Sequence, residues 1–286
     1  MKFLKYALKR IANYFGYEIR KMGGVRTITG FYRAPLQSIE VELTPEVLRA
    51  MFNRVQEQWR ALGETEPHWS VLSHEKFKSK KIAETEDEFY LSGKDTVDLI
   101  DEFFARAGLP IPKGTCLELG CGVGRATRYL GEKFSRVLAV DISKGNLAIA
   151  ARHLSRCNVN NVELIQINGI NDFDALPSFD FMFSTIVLQH NPPPIQKVII
   201  DKLLEKLKLG GGCLFQIPTE LPNYDFDATK YLSSAAQIMD MHSLPMKEVL
   251  ILLQKHKLQI LEVRPDNWTD TETGSFTFFA CSKLIE

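Results

Sequence analysis

From Thr115 to Cys281 the chain alternates short apolar runs with longer stretches of mixed polarity. "TCLELG", "RVLAVD", "VELIQIN", "DFMFSTIVL" and "GGCLFQIP" have the length and β-branched or aromatic content of buried strands. Between them "GRATRYLGEKF", "KGNLAIAARHL" and residues 192–208 repeat apolar positions at helical spacing. Such alternation predicts a parallel sheet covered by helices on both faces. After it come a helix, Met246–Lys255, and two runs, "LQILEVR" and "SFTFFAC", that read as an antiparallel pair.

Upstream the pattern is helical. Thr44 as N-cap, Pro45 in the first turn and Gly63 as stop bound a helix whose apolar face holds Val47, Leu48, Met51, Val55, Trp59 and Leu62. Trp59 on that stripe reads as core rather than as a ligand platform. A lysine cluster at 76–81 and the acidic run "ETEDE" then predict a solvated, mobile connector, followed by a second helix over 96–107. At the amino terminus Leu4, Leu8, Ile11 and Phe15 share one face of a helical wheel and Lys2, Lys5 and Lys9 another. Residues 1–22 therefore read as a basic amphipathic helix, either docked on its own domain or a twin subunit, or held at an anionic membrane surface. The expected division is 1–24 for this helix, 25–93 for a helical cap and connector, and 94–286 for the α/β domain.

Charge and composition narrow the function classes. With 35 basic and 35 acidic residues among 286, no global field gathers polyanions, and no nucleic-acid partner is expected. The five cysteines lack any C-x-x-C pair and the six histidines are scattered, which predicts buried thiols in a reducing cytoplasm and no metal site. No apolar run has signal-peptide or membrane-spanning length, so the expected location is cytoplasmic, with peripheral contact at the inner membrane face if residues 1–22 act as an anchor.

"LELGCGVGRAT" places Gly120, Gly122 and Gly124 in the turn after the first strand, where glycine permits close approach of a ligand at the carboxyl edge of the sheet. A dinucleotide loop wants its third glycine at position 125, where Arg125 stands, and the acid Glu118 suits an ammonium better than a pyrophosphate. Asp141, ending the second strand, has two oxygens for the hydroxyls of a ribose, or serves as an N-cap. Asn168 and Gly169 close the third strand where they meet an adenine edge or merely a turn, with Ile142 against the adenine face.

These residues resemble a class I, seven-strand S-adenosylmethionine-dependent methyltransferase of the small-molecule or glycan type, over about residues 90–281. Glu118-Leu-Gly120-Cys-Gly122-Val-Gly124 is similar to that family's E/D-x-G-x-G-x-G loop, and Asp141 to its second-strand acid. "SFDFMFSTIVLQH" and "LLEKLKLGGGCLF" are similar to its fourth-strand and fifth-strand segments. The resemblance implies a Rossmann-like sheet ordered 3-2-1-4-5-7-6 with strand 7 antiparallel, and S-adenosyl-L-methionine as cofactor with S-adenosyl-L-homocysteine as product. It implies that Glu118 and the glycine loop hold the methionine part, that Thr185 and Ile186 lie beside it, and that Tyr90, Ser92 and Gly93 close over the cofactor, although Tyr90 reads equally as an ordinary core aromatic. Asn168 in place of an acid, and Leu209 in place of a proline, depart from the family pattern.

"LQHNPPP" is superficially similar to the Asn-Pro-Pro-aromatic tetrad of base-amine methyltransferases, but Pro194 cannot stack on a base. Asn191 reads instead as an N-cap with Pro192 in the first helical turn. His190 then stands near the methyl group, as a base for a hydroxyl or as a brace for the loop, with Gln189 orienting the acceptor. The long polar and aromatic stretch after the fifth strand offers Tyr224, Tyr231 and His242 to an acceptor. The expectation is metal-independent methyl transfer, at oxygen, to a small molecule or lipid-linked sugar. A nucleic-acid or protein N-methyltransferase, or a binding module without activity, is the alternative.

Overall fold

The computed structural model describes residues 37–235, 237–269 and 273–282. The amphipathic segment 1–22 lies outside them. Seven strands form one sheet in the order β3-β2-β1-β4-β5-β7-β6. They are β1 (Thr115–Leu119), β2 (Arg136–Asp141), β3 (Val162–Gln166), β4 (Phe179–Ser184), β5 (Leu207–Glu220), β6 (Leu258–Pro265) and β7 (Gly274–Ser282). The first five pair in parallel, and β7 runs antiparallel to both β5 and β6. This is the expected topology, and its reversal after β1 puts a crevice between the carboxyl ends of β1, β2 and β4.

Strand side chains alternate between two cores, as a pleated sheet covered on both faces requires. Phe181 and Phe183 of β4 join Phe103 and Phe104 of one layer, whereas Phe179 and Met182 join Phe52, Ile195 and Ile199 of the other. The helices are α1 (Pro45–Thr65), α2 (Pro67–Val71), α3 (Glu86–Ala107), α4 (Thr127–Lys133), α5 (Lys144–Arg156), α6 (Pro193–Lys206), α7 (Ala228–Ser233) and α8 (Met246–Lys255). All five cysteines are free thiols.

Four local expectations need correction. Gly63 does not stop α1, which continues to Thr65; it is buried against Ser143, whose Oγ would lie 1.9 Å from an added Cβ. The connector is exposed and charged, as expected, but it is folded into short turns rather than an open strap. Lys76 pairs with Glu88, Lys78 with Glu75 at 2.6 Å, and Phe77 packs on Phe89 with ring centroids 5.2 Å apart. The acidic run opens α3, ten residues earlier than expected, because Glu86, Asp87 and Glu88 suit the positive end of a helix dipole. Asn191 is not the N-cap of α6: Pro192 holds that place, and the Asn191 amide donates to the Val187 carbonyl at 3.1 Å.

Candidate active site

The crevice is a cavity roofed by α1 and α2. Glu118, Gly120 and Gly122 line it from the glycine loop, Asp141 and Ile142 from the end of β2, and Thr185 and Ile186 from the end of β4. Sequence reasoning thus brings seven residues to one place. Gly122, at φ +53°, turns its N–H onto the Asp141 carboxylate at 2.8 Å, and the Ser143 N–H donates to the other Asp141 oxygen at 2.7 Å. Each oxygen keeps a second lone pair, so Asp141 can brace the loop and still accept from two ligand hydroxyls. Burial pushes its pKa up, opposed by these N–H donors.

Glu118 is 4% exposed, and its Oε2 has no hydrogen-bond partner among the described residues. Burial pushes its carboxyl up to about 7. A buried carboxylate oxygen left unpaired at the cavity wall is what an ammonium-bearing ligand would satisfy. Above the loop the ends of Val187 and Val71 lie within 2.5 Å of where Cβ atoms at Gly120 and Gly122 would stand. Val71 ends α2, so that short helix acts as a cover over the loop. Ile186 adopts φ +60°, uncommon for a β-branched residue, with its N–H held by the Gln216 amide oxygen at 2.9 Å.

Other expected residues stand off the cavity. Gly124 packs on Ala150 of α5, 3.2 Å from an added Cβ. Asn168 is exposed, and its side-chain oxygen accepts from Arg60 at 2.9 Å, while its N–H and that of Gly169 donate to Asp172. Tyr90, Ser92 and Gly93 belong to α3, behind the loop rather than over it. Tyr90 stacks on His153 at 3.5 Å between centroids, and Ser92 accepts from Arg125. Gly93 is there because a Cβ would stand 2.0 Å from the Arg125 carbonyl oxygen. None of the three is among the residues that line the cavity.

A buried polar chain runs beside the end of β4. Gln216 donates to Ser275 at 2.6 Å and to the Gln189 oxygen at 3.3 Å. The Gln189 amide nitrogen lies 3.2 Å from His190 Nε2, and His190 Nδ1 lies 3.2 Å from the Asp240 carbonyl oxygen. A consistent assignment makes Nδ1–H the donor to Asp240 and Nε2 the acceptor from Gln189. Burial lowers the imidazole pKa to about 4, so His190 is neutral near pH 7, but its one lone pair is already engaged. Gln189 is buried, with its side chain between Gln216 and His190. Tyr224 lies 2.7 Å from His242 Nδ1, with Phe226 and Tyr231 packed around the His242 ring. These residues form a wall of their own rather than cavity lining.

Trp59 corrects the sequence reading, because it lines the cavity and its ring centroid lies 5.0 Å from that of His190. Gln56, Arg60 and Asn146 went unnoticed, and Arg125 was read only as the residue that departs from a dinucleotide loop. Gln56 donates to the Ile167 carbonyl at 2.9 Å and Arg60 to the Ile142 carbonyl at 3.3 Å, fixing α1 over the ends of β2 and β3. For Gln56 and Arg60 the signal is their spacing of four residues on one face of α1.

Comparison with known proteins agrees with this geometry. Residues 117–213 match the family model described as "Methyltransferase domain". Those residues resemble a methyltransferase domain, and the sheet around them has the class I strand order. The methyltransferase fold is also that of solved structures of low identity. An S-adenosylmethionine-dependent methyltransferase from Clostridium acetobutylicum ATCC 824 is 16% identical at a TM-score of 0.52, with 72% of this chain and 99% of that one covered. Magnesium protoporphyrin IX methyltransferase from Synechocystis PCC 6803, with bound S-adenosylmethionine, is 13% identical at 0.55, with 80% and 97% covered. Among curated proteins, the tRNA/tmRNA (uracil-C(5))-methyltransferase of Shigella flexneri serotype 5b (strain 8401) is 33% identical over 93 residues, 28% of this chain. That match covers 25% of the curated relative, so this chain spans about a quarter of its length.

Proposed function

We propose that the protein binds S-adenosylmethionine in the crevice and transfers its methyl group to a neutral small molecule or glycan, at oxygen and without a metal. The observation that carries the reading is the pairing, on one cavity wall, of an unsatisfied Glu118 oxygen with an Asp141 carboxylate that retains two lone pairs. The first suits an ammonium and the second a ribose diol. Bound there, the cofactor supplies an electrophilic methyl group on a sulfonium.

The residues have mainly to position and exclude water. Asp141 and Gly122 hold the loop, Trp59 and Val71 cover it, and Ile186 presents a backbone fixed by Gln216. We read His190 as a positioning residue, because the Gln189 amide occupies the lone pair a base would need. Among the described residues no group of three or more His, Cys, Asp or Glu side chains is arranged to hold a metal.

An RNA acceptor is the second reading, favoured by the curated tRNA methyltransferases. Against it, the basic residues of α1 beside the cavity are engaged internally: Arg54 donates to Tyr231 and Ser234, and Arg60 to Ile142 and Asn168. Calorimetry with S-adenosylmethionine and NAD tests the cofactor. Transfer of labelled methyl to fractions of a cell extract, separated into RNA, protein and small molecules, tests the acceptor. Label confined to RNA would replace the first reading by the second.

A further inference from the structure

We infer that residues 1–22 seat the protein on an anionic lipid surface, with the folded body held to that surface by a tether. The neutral total charge hides a separation. Of the 35 basic residues eight fall in residues 1–36, leaving 27, whereas of the 35 acidic residues only Glu18 does, leaving 34. The first 36 residues therefore carry a net +7 and the remainder a net −7. Positive charge gathered at one end of a chain points to an anionic partner. The apolar positions of that end are ordered as well. At about 100° per residue Leu4, Leu8, Ile11, Phe15, Ile19 and Met22 fall within about 80° of arc, and Lys2, Lys5, Lys9 and Arg20 within about 60° beside it.

A bilayer surface answers both sets of residues at once, its acyl layer taking the apolar arc and its phosphates the cations. A nucleic acid would satisfy the lysines and leave the apolar side chains in water. The folded body offers less still. Its acids nearest the tether are spent, since Glu40 accepts from the Ala228 N–H at 2.9 Å, Asp225 accepts from the Ser38 N–H at 2.8 Å, and Glu42 pairs with Lys197. Its most exposed large apolar side chains among the described residues, Leu91, Leu209 and Ile238, stand in α3, in β5 and after α7, three separate places in the chain. At −7 the body is itself repelled by an anionic surface, so attachment runs through the terminal segment. Residues 23–36 reach at most about 50 Å when extended. They join the body where the Glu40 N–H donates to the Phe226 carbonyl at 3.0 Å and the Phe226 N–H to the Ser38 carbonyl at 2.9 Å. On the methyl-transfer reading above, such a tether raises the local concentration of an acceptor that resides in the bilayer.

The test is co-sedimentation of the full chain with vesicles of phosphatidylcholine, alone or with added phosphatidylglycerol. The parent should bind the anionic vesicles at least about tenfold more tightly than the neutral ones. Raising the salt from ~0.1 to ~1 M, which cuts the Debye length from about 10 to about 3 Å, should weaken that binding. Lys5→Gln and Lys9→Gln should each cost about fivefold, and Leu8→Ser or Phe15→Ser at least about tenfold, while affinity for S-adenosylhomocysteine by calorimetry stays as in the parent. A parent that binds neither vesicle, or both alike, overturns the inference whatever the variants do. So does a parent that prefers bulk tRNA to the anionic vesicles, or a segment that instead joins two copies, seen as a dimer that Leu8→Ser dissociates. Apolar variants that bind as the parent does would reduce the contact to charge alone and overturn it too. The cofactor reading survives all of these outcomes and fails separately, if the parent docks yet binds no S-adenosylhomocysteine.

Discussion

Asp141 both fixes the glycine loop, through Gly122 and Ser143, and keeps acceptor capacity for a ligand. Asp141→Asn turns one acceptor into a donor that faces a backbone N–H. It should weaken S-adenosylmethionine binding by about 10²-fold by calorimetry and lower the melting temperature; unchanged affinity would misplace the ribose. Glu118 gives a pH signature. Its carboxyl is raised to about 7 by burial, and an ammonium ligand favours the ionised form, so binding should release a proton below that pH. Affinity should fall by up to about tenfold per pH unit below 7, and Glu118→Gln should abolish both the slope and the proton release measured in buffers of different ionisation enthalpy. For His190, the positioning role predicts that His190→Asn keeps turnover within about tenfold and leaves the pH profile between 5 and 8 unchanged, whereas a base would cost about 10²- to 10⁴-fold.

At the scale of elements, the seven strands and most helices were legible because apolar period and turn chemistry are local. Gly120, Gly122 and Asp141 were legible because a strand end, a tight turn and an acid fall at readable spacing. What was not legible depends on partners distant in sequence. Gly63 looks like a helix stop until Ser143 is seen beside it, and Trp59 looks like core until the sheet edge is placed under it. The run "ETEDE" is solvated charge as it reads, but that it opens a helix becomes evident only with the apolar cluster of Phe77, Phe89 and Tyr90 beside it. Gly93 is the sharpest such case, since backbone of the glycine loop fills the space of its missing side chain. Gly93→Val should lever α3 off that loop, costing about 2–4 kcal/mol in chemical denaturation and weakening cofactor binding as well. A variant as stable as the parent would mean the two elements part easily.

Over the whole molecule, three histidines share one thermodynamic consequence. Burial lowers the pKa values of His153, His190 and His242 to about 4, so each is neutral in the folded protein and takes up a proton on unfolding between that pH and 6.5. Stability contributed by the neutral forms is complete above pH 6.5 and is lost as pH falls toward 4. The melting temperature should drop by ~5 °C or more over that window, and His242→Phe should flatten the fall. An equal acid slope in the variant would assign the effect to carboxylates instead.

The position of α1 also matters while the chain is being made. It is translated before all seven strands of the sheet, yet it packs on α5, α6 and α7, the last of them more than 160 residues downstream. Its Met51, Phe52 and Val55 must therefore wait, unburied, until most of the sheet has emerged from the ribosome. During that interval the roof of the cavity is a sticky amphipathic segment in search of a site, a natural client for a chaperone that holds nascent chains. Binding competence is then acquired late, even though the helix that confers it is synthesised before the sheet it covers.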